Sequence, residues 1–151
     1  MSASKDTLVA WQDDFGLGLT EIDDQHKSLF DLINRLWAAV VGRADTAEMM
    51  AILAELEHYT LSHFAAEETF MRVIDYPGFA EHKKAHEAFV GRLGEEKKSI
   101  LAGKHFSLEM LRFLKDWLIN HIMVMDRAYA EVHAASKQPK SMFSRLFQRF
   151  F

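Results

Sequence analysis

The stretch His63-Phe-Ala-Ala-Glu67, followed by Tyr76-Pro77-Gly78 and His82-Lys-Lys-Ala-His86, decides the fold of this chain. Side chains four residues apart lie on the same face of a helix, so each flanking segment presents two ligand-type side chains together. The Pro-Gly pair between them interrupts any continuous helix. The stretch therefore predicts two antiparallel helices that hold a metal ion between their facing sides.

Apolar residues repeat at helical spacing in four long segments. We expect a first helix over about residues 21–41, a second that starts at Asp45 or Thr46 and cannot continue through Pro77, a third over about 79–102 and a fourth from Ser107 onward. Thr20-Glu-Ile-Asp23 resembles a capping box for the first helix, and Asp45 or Thr46 and then Ser107 can cap the second and fourth. Short connections favour antiparallel neighbours. The sequence thus predicts an all-α, up-down-up-down four-helix bundle with an extended N-terminal arm and a short C-terminal amphipathic helix.

The 151 residues are enough for one globular domain with a real core. We divide them into an arm (1–20) that Trp11 and Phe15 pin to the body, a bundle (21–134) and a tail (135–151). The tail carries four basic residues and no acid from residue 134 onward, so the rest of the chain holds a charge of −8 within the total of −4. That acidic body argues against nucleic acid as a partner.

The tail has an amphipathic pattern of its own from residue 139 to residue 151. Its apolar residues at helical spacing are Met142, Phe143, Leu146, Phe147 and Phe150. Such a segment can pack back on the bundle or mediate self-association. We favour the alternative that it docks on an anionic membrane surface or in the groove of a protein partner. The chain itself is expected to be a monomer or a weak oligomer.

The composition excludes several classes of function. With no cysteine there are no disulfides, thiolate ligands or cysteine nucleophiles, which suits a reducing compartment. The polar start lacks the apolar core of a signal peptide, and no apolar run approaches the ~20 residues that span a bilayer. We therefore expect a cytoplasmic protein.

Polar residues interrupt the apolar stripes of all four predicted helices. These residues are His26, His63, Glu67, His82, His86 and His121. An unpaired buried polar group costs ~1–3 kcal/mol, and a carboxylate costs more, so this many would exhaust the stability of a domain. A bound metal removes that cost because it takes the imidazole lone pairs and neutralises the carboxylate.

The donor set leaves the identity of the metal open, since imidazole suits zinc, copper, iron and nickel while carboxylates suit harder ions. It is too large for one tetrahedral zinc, whereas two ions bridged by carboxylates would use all of it. The second bridging acid is then Asp126, five residues after His121. On a regular helix, the side chain of Asp126 would lie about 140° around the axis from that of His121. A widened, π-like turn is therefore required to bring both inward.

The ordered motifs resemble those of the bacterial hemerythrins, which are oxygen-binding di-iron proteins. The matching residues are Trp11, Ile22-Asp23-Asp24-Gln25-His26-Lys27, His63-x3-Glu67, Tyr76-Pro77, His82-x3-His86 and Trp117-Leu118-x2-His121-x4-Asp126. The resemblance covers about residues 8–133. It implies that His82, His86 and His121 bind one iron, that His26 and His63 bind the other, and that Glu67 and Asp126 bridge the two.

The same resemblance implies reversible O2 binding for carriage, storage, delivery or sensing, without catalysis. Its cofactors would be two iron ions (Fe2+/Fe3+) with a bridging oxo or hydroxo group, and O2 would bind at the iron with fewer histidines. Leu118 corresponds to the apolar residue of the family's O2 pocket. The alternatives are a ferritin-like di-iron oxidase or peroxidase, or a protein that binds nitric oxide or iron. We expect the other histidines, His58, His105 and His133, at the surface.

Overall fold

The computed structural model describes residues 7–136 and 145–146. Its long helices are α1 (Thr20–Val41), α2 (Thr46–Val73), α3 (Phe79–Leu101) and α4 (Leu108–His121), and α4 continues through a π turn (Ile122–Asp126) into α5 (Arg127–Ala135). Helix α1 packs against α2 and α4, and α2 packs against α3. The described residues form the four-helix bundle that the sequence predicts, and they contain no strand.

Side-chain caps begin two of the helices as expected. Asp45 Oδ1 accepts the backbone N–H of Glu48 at 2.8 Å, and Ser107 Oγ accepts that of Met110 at 3.1 Å. The capping box expected at Thr20 is wrong, because Thr20 already lies inside α1. Asp23 instead accepts the backbone N–H of Leu17 at 2.9 Å, so its carboxylate holds the arm and does not cap the helix.

The first three helices end in the same way. Arg43, Asp75 and Gly103 adopt the left-handed conformation, with φ of 54°, 53° and 95°. The residue after each of them donates its N–H to a carbonyl five residues earlier: Ala44 to Ala39, Tyr76 to Met71 and Lys104 to Ser99. This closure satisfies carbonyls at the helix end and reverses the chain within a few residues. It explains why successive helices run antiparallel.

The described part of the arm is fixed to α1 through Asn34. Its Oδ1 accepts the N–H groups of Leu8 and Val9, both at 2.9 Å, and its Nδ2 donates to the carbonyl of Val9 at 2.7 Å. The rings of Trp11, Phe15 and Phe30 also contact one another, with centroids 5.5 to 5.7 Å apart. The predicted pinning by Trp11 and Phe15 is therefore confirmed.

The apolar core consists of two clusters. The larger one fills most of the bundle and includes Leu29, Leu56 and Leu118. The smaller one lies towards the α2–α3 turn and is formed by Leu19, Ile22, Ala66, Phe70, Met71, Tyr129 and Ala130. Along α1, His26 falls between Ile22 of the small cluster and Leu29 of the large one. A layer of buried polar side chains thus separates the two apolar regions. This polar layer consists of His26, His63, Glu67, His82, His86, His121 and Asp126.

The predicted amphipathic tail lies outside the described residues except for Arg145 and Leu146. Leu146 is half-buried and packs against the small cluster. This contact places Leu146 against the bundle, and the role of the tail stays a prediction from the sequence. Among the helices of the described segments, none combines the length and the apolar character that crossing a membrane requires.

We predict that Asn34→Ala lowers the free energy of unfolding by about 1–3 kcal/mol, because two backbone N–H groups and a carbonyl lose their partner. Denaturant unfolding measures the loss. The control is Asp31→Ala, which removes an exposed side chain one turn earlier on α1. Equal stability of the two variants would contradict the anchoring role of Asn34.

Candidate metal centre

The seven predicted ligand side chains lie together in the polar layer. Four helices and the π turn supply them: His26 from α1, His63 and Glu67 from α2, His82 and His86 from α3, His121 from α4 and Asp126 from the π turn. None is more than 3% exposed. Local helical periodicity brings each pair on α2 and α3 to one face, and the bundle then brings the faces together.

Three imidazoles converge on one side of the layer. His121 Nε2 lies 3.0 Å from His82 Nε2 and 3.1 Å from His86 Nε2. Asp126 Oδ1 lies 3.0 Å from His82 Nε2 and 3.2 Å from His121 Nε2, and Glu67 Oε1 lies 3.4 Å from His86 Nε2. These five side chains can offer ligand atoms that are all within 4.8 Å of one another.

Two imidazoles converge on the other side. His26 Nε2 is 3.1 Å from Asp126 Oδ2, and His63 Nε2 is 3.2 Å from Glu67 Oε1. With the two carboxylates they form a second group of four potential ligands. Glu67 and Asp126 belong to both groups. The geometry therefore offers two adjacent cation sites that share two carboxylates.

A π turn brings Asp126 into the layer. Residues Ile122–Asp126 form this wide turn with dihedral angles in the right-handed helical region at both boundaries, so the helix axis continues without a break. The extra residue places Asp126 on the same face as His121, although the two are five positions apart. The widened turn that the spacing of His121 and Asp126 requires is thus present, and it ends at Asp126.

Several buried polar atoms of the layer make no well-aligned hydrogen bond within the described residues, although imidazole nitrogens lie 3.0 to 3.4 Å from the carboxylate oxygens. They include both oxygens of Asp126, Oε1 of Glu67 and both ring nitrogens of His26. Leaving such atoms unpaired inside a protein is costly. Carboxylate oxygens and imidazole nitrogens that point at a common centre are suitable ligands for a transition-metal ion. The residues present therefore fit a pair of metal ions.

The carboxylates of the layer are held in their ionised form. Burial by itself would raise the pKa of Glu67 and Asp126. The surrounding histidines outweigh burial: His63 and His86 lower the pKa of Glu67, and His121, His26 and His82 lower that of Asp126. Both acids are therefore available as anionic ligands at neutral pH.

Two ligand-type imidazoles have polar partners on their outer side. His63 Nδ1–H donates to Gln25 Oε1 at 2.6 Å, and His86 Nδ1–H donates to Glu68 Oε2 at 2.9 Å. Hydrogen bonds of this kind fix the tautomer and leave Nε2 free for a metal. Burial lowers the pKa of His63. Burial also lowers that of His86, but the hydrogen bonds to Glu67 and Glu68 outweigh it and raise the pKa to about 9.

Tyr129 adds a hydrogen bond to the centre, a contact that the sequence pattern does not predict. Its hydroxyl donates to Glu67 Oε2 at 2.7 Å inside the protein. Burial and then the charge of Glu67 raise the pKa of this phenol far above its ordinary value, so it remains a donor. The sequence signal was its position three residues after Asp126, but helical periodicity assigns that position to the apolar core.

Aromatic rings enclose the three-histidine side. Phe64 stacks on His86 with centroids 3.7 Å apart and an interplanar angle of 4°, and Trp117 stacks on His121 at 4.3 Å and 11°. Leu118 is 4% exposed and belongs to the large apolar cluster, one turn before His121. These contacts restrict rotation of the two imidazole rings, and the ligand side chains themselves are almost fully buried.

The remaining histidines differ in their placement. His58 and His105 are exposed, as expected. The expectation for His133 is wrong, because it is only 3% exposed and contacts the ring of Phe70 at 5.1 Å. It follows Tyr129 by four residues on α5, and since that helix runs to Ala135, the two side chains share the buried face.

Comparisons with known proteins agree with this geometry. The hemerythrin HHE cation binding domain family matches residues 17–132. A bacteriohemerythrin of Stenotrophomonas maltophilia is 36% identical over 151 residues, which covers 95% of this chain and 98% of that protein. A hemerythrin of Themiste dyscrita is 34% identical over 79% of this chain and 88% of its own length. The crystal structure of a wild-type hemerythrin superposes with a TM-score of 0.76 at 35% identity, covering 83% of this chain and 97% of that one.

We predict that Tyr129→Phe lowers the free energy of unfolding of the metal-free protein by about 1–3 kcal/mol, because Glu67 Oε2 loses its buried donor. Chemical denaturation checks this value. Tyr76→Phe, at a half-buried tyrosine in the α2–α3 turn, is the matched control. A Tyr129→Phe protein as stable as this control would show that the hydrogen bond does not support the layer.

Proposed function

This chain belongs to the hemerythrin family, whose members bind O2 at a non-haem di-iron centre and are not enzymes, and we propose how its own residues perform that function. The observation that carries the proposal is the convergence of five imidazoles and two shared carboxylates into two groups within one buried layer. Oxygen carriage, storage, delivery and sensing all use this chemistry.

We assign the histidine ligands of each iron from the two groups of side chains in the polar layer. His82, His86 and His121 would hold one iron, and His26 and His63 would hold the other. Glu67 and Asp126, each within 3.4 Å of a histidine nitrogen from both groups, would bridge the two irons. When bound, the two irons supply the electrons that reversible O2 binding requires.

The unequal number of histidines gives the two sides different roles. The His26 and His63 side offers one protein ligand fewer, so it is the side where O2 would bind. Tyr129 keeps Glu67 oriented through its hydrogen bond, and Leu118, the residue that matches the family's O2 pocket, would supply an apolar wall beside the O2 site. An apolar lining admits O2 and disfavours anions and water.

A ferritin-like oxidase or peroxidase is a weaker alternative. Such sites are rich in carboxylates and use Glu-x-x-His pairs. The layer of this chain holds five imidazoles and two carboxylates, and its pairs on α2 and α3 are four residues apart. No feature of the described residues specifically supports binding of nitric oxide or of iron as cargo.

A cytoplasmic location, a monomeric or weakly oligomeric state and docking through residues 139–151 stay predictions from the sequence. A version of the chain that ends near residue 136 tests the last of these. It is expected to keep the O2 spectrum and to lose binding to anionic liposomes, whereas retained liposome binding would refute docking through the tail.

We predict that the purified protein contains two irons per chain and shows a reversible charge-transfer absorption when O2 is added to the reduced form. Asp126→Asn removes the negative charge of a bridging ligand with little change in shape, so it is expected to lose most bound iron and the absorption together. Metal analysis and difference spectra measure both quantities.

Glu131→Gln is the control, because it makes the same change in charge at an exposed position on α5. It is expected to behave as the unmodified protein. One zinc per chain and no absorption change with O2 would overturn the di-iron proposal, and full iron content in Asp126→Asn would remove Asp126 from the ligand set.

We also predict that Leu118→Ala speeds the oxidative loss of the oxygenated form, because water and anions reach the centre more easily. The rate of decay of the charge-transfer band measures this effect. Leu111→Ala creates a cavity two turns away in the same apolar cluster and controls for general loosening of the core. Equal decay rates in the two variants would exclude a pocket role for Leu118.

A further inference from the structure

The outer hydrogen bonds of the two groups differ in charge. On the two-histidine side, His63 donates to the neutral amide of Gln25 at 2.6 Å. On the three-histidine side, His86 donates to the carboxylate of Glu68 at 2.9 Å. A glutamine and a glutamate have nearly the same shape, so the two contacts differ in the charge of the acceptor and in length, the contact to the neutral amide being the shorter at 2.6 Å against 2.9 Å.

The surroundings of the two acceptors differ as well. Gln25 is 6% exposed and lies inside the bundle. The side chain of Glu68 is 19% exposed and lies at the edge of an open groove of about 490 Å³ between α2 and α3, which Leu61, Val90 and Glu87 also line. Water can therefore solvate the outer part of Glu68, whereas a carboxylate in place of Gln25 would have to be buried.

We propose that Glu68 and Gln25 are positioning residues that make the two irons unequal, with Glu68 favouring the ferric state on the His86 side and Gln25 favouring the ferrous state on the His63 side. This inference rests on the di-iron function proposed above. It assigns a role to two side chains that bind no metal themselves and act through the imidazoles they contact.

The hydrogen bonds determine which oxidation state each contact favours. A carboxylate that accepts the Nδ1–H of an imidazole pulls the proton outward, so Nε2 becomes a stronger electron donor to a metal. Stronger donation stabilises the ferric over the ferrous state. A neutral amide fixes the same tautomer with a weaker effect. The iron proposed to bind O2 is thereby the one that retains its electron more readily, which favours release of O2 over permanent oxidation.

The first test uses zinc, which is redox-inert and needs no O2 chemistry. In the zinc-loaded protein, nitrogen-15 and proton NMR of the histidine rings is expected to show the Nδ1–H of His86 in a stronger hydrogen bond than that of His63. Glu68→Gln is expected to make the two signals alike. Signals that already match in the unmodified protein would overturn the proposal, whatever the outcome of the O2 experiments.

The second test measures the rate at which ferricyanide oxidises the reduced, iron-loaded protein, since each ferricyanide takes one electron from one ferrous ion. Glu68→Gln is expected to slow the oxidation by about tenfold and Gln25→Glu to speed it by about tenfold, which takes the lower end of the effects that outer partners have on metal affinity or activity as the scale. If Gln25→Glu does not fold because its charge is buried, Glu68→Gln alone decides the outcome.

Two controls test whether the effect comes from the charge of Glu68. One removes another negative charge near the groove, and the other removes the hydrogen bond together with the charge. Glu87→Gln removes a charge from the same groove at an exposed position of α3 and is expected to leave the rate unchanged. Glu68→Ala removes the hydrogen bond as well as the charge. A rate for Glu68→Gln equal to that of the unmodified protein, with a change only in Glu68→Ala, would reduce Glu68 to a purely structural role and overturn the proposal.

Discussion

The structure depends on satisfying a layer of buried polar side chains that crosses the core. Five imidazoles and two carboxylates occupy a level at which a four-helix bundle is otherwise apolar, and hydrogen bonds between protein groups leave several of their atoms unpaired. Cations resolve this because they bind lone pairs and offset negative charge at once. The helices that supply the ligands must then stay in fixed register, and the two apolar clusters on either side of the layer hold them there.

The polar layer also explains the irregular part of the fourth helix. A regular helix would direct either His121 or Asp126 inward, since five positions do not share a face. The π turn at Ile122–Asp126 directs both inward while the apolar residues before and after it remain in the core. A π turn is less favourable than a regular turn, so its presence is best explained by the ligand that it positions.

Helical periodicity and turn chemistry predicted the bundle, the helix limits and the residues that form the layer. Asp126 could be placed only through the requirement for a widened turn, because periodicity alone directs it elsewhere. The sequence could not reveal Gln25, Glu68 or Tyr129 as partners of the layer, since each contact joins different helices and depends on their packing. Thr20 and His133 were misplaced for a related reason: both assignments rested on local patterns, whereas the arm and the length of α5 decide their environments.

The charge of the layer gives a physical reason for the position of Glu68, the third acid that contacts the centre. Two divalent ions outweigh the charges of Glu67 and Asp126, so a further anion nearby stabilises the loaded centre. A carboxylate buried among the ligands would destabilise the metal-free chain during folding. Glu68 avoids that conflict because it contacts a ligand imidazole with one oxygen while its side chain still reaches the groove and its water. The edge of the bundle is therefore where this fold can place extra negative charge at least cost, and that edge lies on the three-histidine side.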